Sequence, residues 1–211
     1  MRRWAWAGLA AQVLFVGSWL VAAAWQGSGY HVLDHTISDM LSVGAPAALV
    51  LIVVFTLCGL VTMLFAWLAV RPALRPGGRL ATVGAVLLTL SIFGVGDLLA
   101  GAEQQACRLA DPGCTGPDQR ANLGGKIDTM ITPTGILLFV AAAFVLAAAM
   151  KRAPGWQGWA WPFRGAGIGF VVLLVAFVNA PVGLTGLFER LLAASGAATI
   201  GALAIGIALR P

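Results

Sequence analysis

Six stretches of the chain are long and apolar enough to cross a bilayer, and that repetition constrains the fold more than any other feature. They cover residues 4–25, 47–70, 80–100, 129–150, 166–182 and 191–209. About 20 apolar residues rising 1.5 Å each span the hydrocarbon core. No water is available there for backbone N–H and C=O groups, so such segments must be helical. The 211 residues are 60% hydrophobic and only 10% charged, against roughly 25% charged residues in a soluble domain. The expected fold is all-α: one integral-membrane domain over 1–211, a polytopic bundle of six helices. The first stretch follows Met1-Arg2-Arg3 and is longer than the 7–15 apolar residues of a signal sequence, so it reads as a retained helix.

Charge orients the bundle. Nine of the thirteen Lys and Arg residues (Arg2, Arg3, Arg71, Arg75, Arg79, Lys151, Arg152, Arg164 and Arg210) fall on one side. Arg108, Arg120, Lys126 and Arg190 fall on the other. The positive-inside rule then places both termini in the cytoplasm. All eight carboxylates collect toward the opposite face: Asp34, Asp39, Asp97, Glu103, Asp111, Asp118, Asp128 and Glu189. Ionisable groups bordering spans usually face a bundle interior or a cavity, which makes this face the place to look for chemistry. The net charge of +5 does not mark a nucleic-acid binder, because the basic residues are scattered through short loops.

The loop over 26–46 holds both histidines of the chain, in Gly29-Tyr30-His31-Val32-Leu33-Asp34-His35-Thr36-Ile37-Ser38-Asp39-Met40. Were it helical, His31, Asp34 and His35 would share one face. Two imidazoles and a carboxylate can hold a divalent metal such as Zn²⁺ and leave a fourth position for water. The alternative is a re-entrant or interfacial segment whose polar groups satisfy one another. Three further acids sit at span ends. Asp128 and Glu189 open the fourth and sixth spans, where negative charge suits the helix dipole. Asp97 lies near a C-terminus, where it does not, so it is the first candidate for a functional carboxylate and, if buried, for a general acid. Arg190 is expected to pair with an acid on another segment. Asn179 and Pro181 can release backbone carbonyls into the same recess.

Cys107 and Cys114, on the outer side with Asp111-Pro112-Gly113 between them, are expected to form a disulfide, worth about 2–3 kcal/mol. Cys58 reads as a small buried apolar residue. The small residues of the last span (Ser195, Gly196, Ala197, Gly201, Gly206) predict close helix packing, in the bundle or between copies in a homo-oligomer. Trp156, Trp159 and Trp161 read as an interfacial belt, with a ligand cage as the alternative.

These motifs together resemble the DUF998 family of bacterial and archaeal six-helix membrane proteins. The stretch Tyr30…Asp34-His35-Thr36-Ile37-Ser38-Asp39 is similar to its aromatic-x-x-x-Asp-x-x-Ile-Ser-[Asp/Glu]-Leu signature. Asp97 matches an acid ending the third span, and Gly186-Leu187-Phe188-Glu189-Arg190 matches Gly-Leu-x-[Glu/Gln]-Arg before the last. Members carry Gly-x-x-His at the start of the fourth span, where this chain has Gly125-Lys126-Ile127-Asp128. The departure weakens a shared metal or proton-relay role there. The resemblance implies a six-helix fold in the bacterial inner (plasma) membrane and an uncharacterised function.

Four functions are compatible with this reading. In the first, an outward-facing pocket takes a lipid- or isoprenoid-like small molecule, with Asp97, Asp39, Asp34, Glu189 and Asp128 as catalytic acids and Tyr30, Ser38, Asn179 and Arg190 lining it. A metal-assisted hydrolase using His31 and His35 is a close variant. A cation or proton carrier or sensor is the third, although no internal repeat is visible. The fourth is a structural partner for another membrane protein. Membrane lipid is the surrounding medium in every case, and nucleic acid is not an expected partner.

Overall fold

A computed structural model describes residues 1–210 and is all-helical over them. Helix α1 (Arg2–Ala22) runs into a 3₁₀ turn at Ala23–Trp25. Helix α2 (Ala48–Phe65) continues through a π turn at Ala66–Val70 to Ala73. Helices α3 (Arg79–Leu90), α4 (Leu123–Arg152), α5 (Ala160–Val178) and α6 (Thr185–Ala208) follow. Five of these, all but α3, are long and apolar enough to cross a membrane. Large apolar side chains remain exposed along them, including Leu49, Leu137, Val172 and Val178. An exterior as apolar as the interior is what a lipid solvent selects, and this is a multi-pass membrane protein.

The third expected span is not one helix. Helix α3 stops at Leu90, Ser91 is extended (φ −69°, ψ 173°), and a π turn covers Ile92–Gly96 before Asp97. The local cause is visible in the hydrogen bonds. The Ser91 hydroxyl donates to the Leu88 carbonyl at 2.7 Å, competing with the helical ladder as short hydroxyl side chains do. Gly94 and Gly96 then let their N–H groups turn back to the Ser91 carbonyl, at 3.0 and 3.2 Å. Irregular backbone at membrane depth survives only where protein or a cavity surrounds it. Here two glycines supply the protein. A Cβ on Gly59 of α2 would stand 2.6 Å from the Gly94 carbonyl oxygen, and one on Gly135 of α4 would stand 2.8 Å from the Ile92 nitrogen. The break is clamped between α2 and α4.

The fifth expected span, 166–182, is also corrected: α5 starts and ends earlier. The residue before a proline is pushed out of the helical region, and Ala180-Pro181 with Gly183 at φ +87° ends the helix at Val178.

Helix α6 is the central one, with 56% of its most apolar stretch buried against 17% for α5. Its small residues are used inside the bundle. Gly196 lies against Phe93 and Phe170, and a Cβ on Gly206 would come within 3.0 Å of the Trp159 ring. Helices α1 and α2 are joined by Gln12 donating to the Thr62 hydroxyl at 2.9 Å, both residues buried. A file of aromatic rings crosses the middle of the bundle. Phe15 meets Phe55 at 4.8 Å and Phe93 at 5.8 Å, and Phe139 meets both Phe93 and Phe170 at 4.8 Å. At the basic end, Trp156 is buried rather than an exposed belt residue. The Arg210 guanidinium lies 3.2 Å over its ring and 5.9 Å from that of Trp159. The cage-like tryptophans hold the chain's own arginine.

The clamp around Ser91 makes a direct prediction. Gly135→Ala pushes a methyl against backbone that cannot move aside, and overpacking of this kind costs about 1–3 kcal/mol. Thermal unfolding in detergent should show a lowered midpoint, and an unchanged one would refute the close approach of α4 to the break.

Candidate functional site

Three loops pack together at the carboxylate-rich end. Asp39 is fully buried and acts as a clamp between two of them. It accepts the Leu109 N–H at 2.5 Å, the Ala110 N–H at 3.2 Å and the Gln119 side-chain amide at 3.4 Å. Burial pushes its carboxyl above the ordinary range, and the two backbone donors pull it partway back. The loop it grips is closed on itself by the Cys107–Cys114 disulfide, Cα–Cα 6.1 Å. Arg108 pairs with Asp111 at 3.3 Å and donates to the Gln26 carbonyl at 3.2 Å.

A second clamp joins the first loop to α6. Arg190 does not pair with an acid on another segment. Its Nη1 donates to the carbonyls of Val32 (2.7 Å), His35 (2.8 Å) and Gly186 (2.9 Å), and its Nη2 donates to the Tyr30 hydroxyl. That hydroxyl in turn donates to the Thr36 carbonyl at 2.9 Å. Burial pushes the phenol up to about 12, so it stays a neutral donor. The N–H groups of Gly186 and Leu187 donate to the carbonyls of Asp34 and Leu33 at 3.0 and 2.9 Å. Tyr30 and Arg190, both expected as pocket residues, are thus committed to holding the loop.

Beneath this layer lies a cavity of about 130 Å³. Phe15, Phe55, Phe93, Phe170 and Phe177 line its apolar part, while Asp97, Glu103, Asp128 and Glu189 line its polar part with Ser38 and Thr132. Two of these carboxylates are held by protein. Asp128 accepts from the Gln105 amide at 2.9 Å and the Thr132 hydroxyl at 2.8 Å. Glu189 accepts the Ile37 N–H, which opens the 3₁₀ turn Ser38–Leu41, and the Ser38 hydroxyl at 3.4 Å. The other two are not. Asp97, only 8% exposed, accepts no hydrogen bond from the protein, and Oε1 of Glu103 is buried without a partner. Burial, reinforced by the charge of Asp128, pushes the Glu103 carboxyl up to about 8.

The structure therefore brings Asp97, Asp128, Glu189 and Ser38 to one cavity and places the remaining candidates elsewhere. Asp34 is exposed. The segment 31–36 is a chain of turns rather than a helix, and His35 Nδ1 accepts the His31 N–H at 2.9 Å. The imidazoles stack 6.0 Å apart. Among the described residues no three His, Cys, Asp or Glu side chains are arranged to hold one metal ion. Asn179 is exposed and its amide folds back onto the Val175 carbonyl at 2.8 Å. Glu103, Gln105 and Thr132 are the residues that sequence reading passes over. Glu103 follows the third apolar segment closely in Asp97-Leu98-Leu99-Ala100-Gly101-Ala102-Glu103, and that proximity was the available signal.

The family profile described as "Protein of unknown function (DUF998)" matches residues 9–206. A multi-pass helical membrane protein is the class the fold defines, and the chain belongs to the DUF998 family. No curated protein and no solved structure matches it. The first and last motifs of the resemblance prove to be two halves of one contact, since Tyr30–Ser38 binds Gly186–Arg190 through the bonds just described.

The state of Glu103 is testable. Its native proton affinity is raised from the ordinary 4.5 to about 8, so the folded protein holds a proton that the unfolded chain releases. Its contribution to stability then falls as pH rises from 4.5 to 8. In thermal unfolding across that window, Glu103→Gln should gain on the wild type with each step in pH. A constant difference would mean that Glu103 titrates as an ordinary exposed carboxylate.

Proposed function

We propose that this protein handles a lipid- or isoprenoid-like amphiphile. Its polar end sits among Asp97, Glu103, Asp128 and Glu189, and its chain lies against the phenylalanine-lined part of the cavity. The observation that carries this reading is Asp97: buried, without a protein partner, and set on the wall of a cavity that is otherwise largely apolar. A carboxylate largely withdrawn from water with no protein donor is costly, and a ligand that supplies donors offsets that cost. Ligand sites in general pair apolar walls with a few converging polar groups. The titratable groups on this wall are all carboxyls, which can transfer protons, with Glu103 available as a general acid near neutral pH. The distribution of basic residues orients the cavity toward the exterior of the bacterial plasma membrane, with both termini inside.

One observation favours a second reading, a cation or proton carrier. The third apolar segment is interrupted beside these acids, and interrupted helices bound substrate sites in many transporters. A carrier for a small cation has no use for an aromatic acyl seat, which separates the two readings. Native mass spectrometry of protein extracted in mild detergent provides the test. The amphiphile reading expects one tightly retained amphiphile per chain, lost in Ala193→Leu, which fills the apolar half of the cavity. Retention unaltered by that substitution, or no retained molecule in the wild type, would count against it.

A further inference from the structure

We propose that the polar end of the ligand is a protonated amine. This deepens the reading above and rests on it. Apart from the one proton that Glu103 holds near neutral pH, the cavity wall offers a ligand only acceptors. Four carboxylates face the space, and no Lys, Arg or His side chain lines it. The two hydroxyls present are already spent: Thr132 donates to Asp128 and Ser38 to Glu189. What remains is the Asp97 carboxylate, with no protein donor, and the buried, unpartnered Oε1 of Glu103.

A ligand must therefore bring donors, and preferably positive charge. A phosphate or carboxylate head brings neither and is repelled. A neutral hydroxyl brings one donor, whereas an ammonium brings three donors together with its charge. The arrangement also disfavours a bare metal ion. The four acids come from the third segment, the loop after it, α4 and α6, and no three side chains among the described residues converge on one ion position. An organic cation with hydrogens pointing in several directions suits carboxylates spread around a wall. The phenylalanine rings lining the same cavity add to its attraction through cation–π interaction. With the apolar half taken into account, the ligand class is an aliphatic amine whose head and first carbons fill the cavity of about 130 Å³, the rest of a longer chain lying outside it.

The test uses purified full-length protein in a non-ionic detergent, with thermal stabilisation measured against four probes: dodecylamine, dodecanol, dodecyl phosphate and butylamine. The structure predicts that dodecylamine stabilises the wild type at a concentration at least tenfold below that needed for dodecanol, and that dodecyl phosphate gives no stabilisation. Asp97→Asn combined with Glu103→Gln should erase the preference for dodecylamine over dodecanol. Because both substitutions relieve repulsion, the variant is expected to fold, and its unliganded melting curve checks that. Equal response to dodecylamine and dodecanol overturns the amine assignment while leaving the amphiphile reading intact. Butylamine acting as well as dodecylamine supports the amine seat and overturns the amphiphile reading. Failure of both amines overturns the proposal whatever dodecanol does.

Discussion

Arg190 carries a full charge in a nearly closed environment, and three carbonyl oxygens and a phenol hold it there. Its guanidinium lies 5.9 Å from the Trp19 ring and 5.8 Å from that of Tyr30. A lysine could not reproduce this, because only the planar fork of arginine reaches several acceptors at fixed angles. The contact fixes where the first loop crosses the start of α6, and the rest of the site follows from that crossing. Glu189 precedes Arg190 on the same helical turn, so its carboxylate meets the N–H of Ile37. Asp39, two residues further along the loop, reaches the disulfide-closed loop. That loop brings Gln105 to Asp128. A chain of contacts thus runs from one buried guanidinium to two of the four acids on the cavity wall, Glu189 and Asp128.

What the cavity then contains is an imbalance. Carboxylates cost most where water is scarce, and proteins normally pair them. This protein spends buried Arg190 on carbonyls and buried Arg108 on Asp111 outside the cavity, and leaves two acids open, while an interrupted third segment delivers Asp97 to the wall. Both features run against local stability. Natural sequences violate such rules chiefly at functional sites, which is why the cavity rather than the histidine pair is the centre of the account.

The helical bundle was legible because hydrophobicity over some twenty residues is a strong signal and bilayer thickness leaves little choice. The interruption at Ser91 was not. Residues 80–100 are apolar enough on average to pass for a span despite Ser91 and Asp97, and the break depends on packing against Gly59 and Gly135 from two distant helices. Asp97 stood out by its place at the end of a helical segment, where no dipole supports a negative charge. Glu103 did not, since a loop glutamate is normally solvated, and only tertiary folding buries it beside Asp128. The fate of Arg190 was hidden for a related reason. One of only four basic residues on a side with eight acids suggests an ion pair, but the carbonyls of Val32 and His35 take the guanidinium instead. The disulfide could be read from spacing and compartment alone.

The proposed site requires negative groups from separate segments to share one desolvated space, and a double-mutant cycle measures that directly. At pH 9, in unliganded protein, Asp97→Asn and Glu103→Gln should each raise the unfolding temperature, because each removes a like charge facing the other. The double variant should gain less than the sum of the two, since the repulsion can be relieved only once. Strict additivity, or no gain from either change, would show that the two carboxylates face water independently and that the shared cavity does not exist in solution.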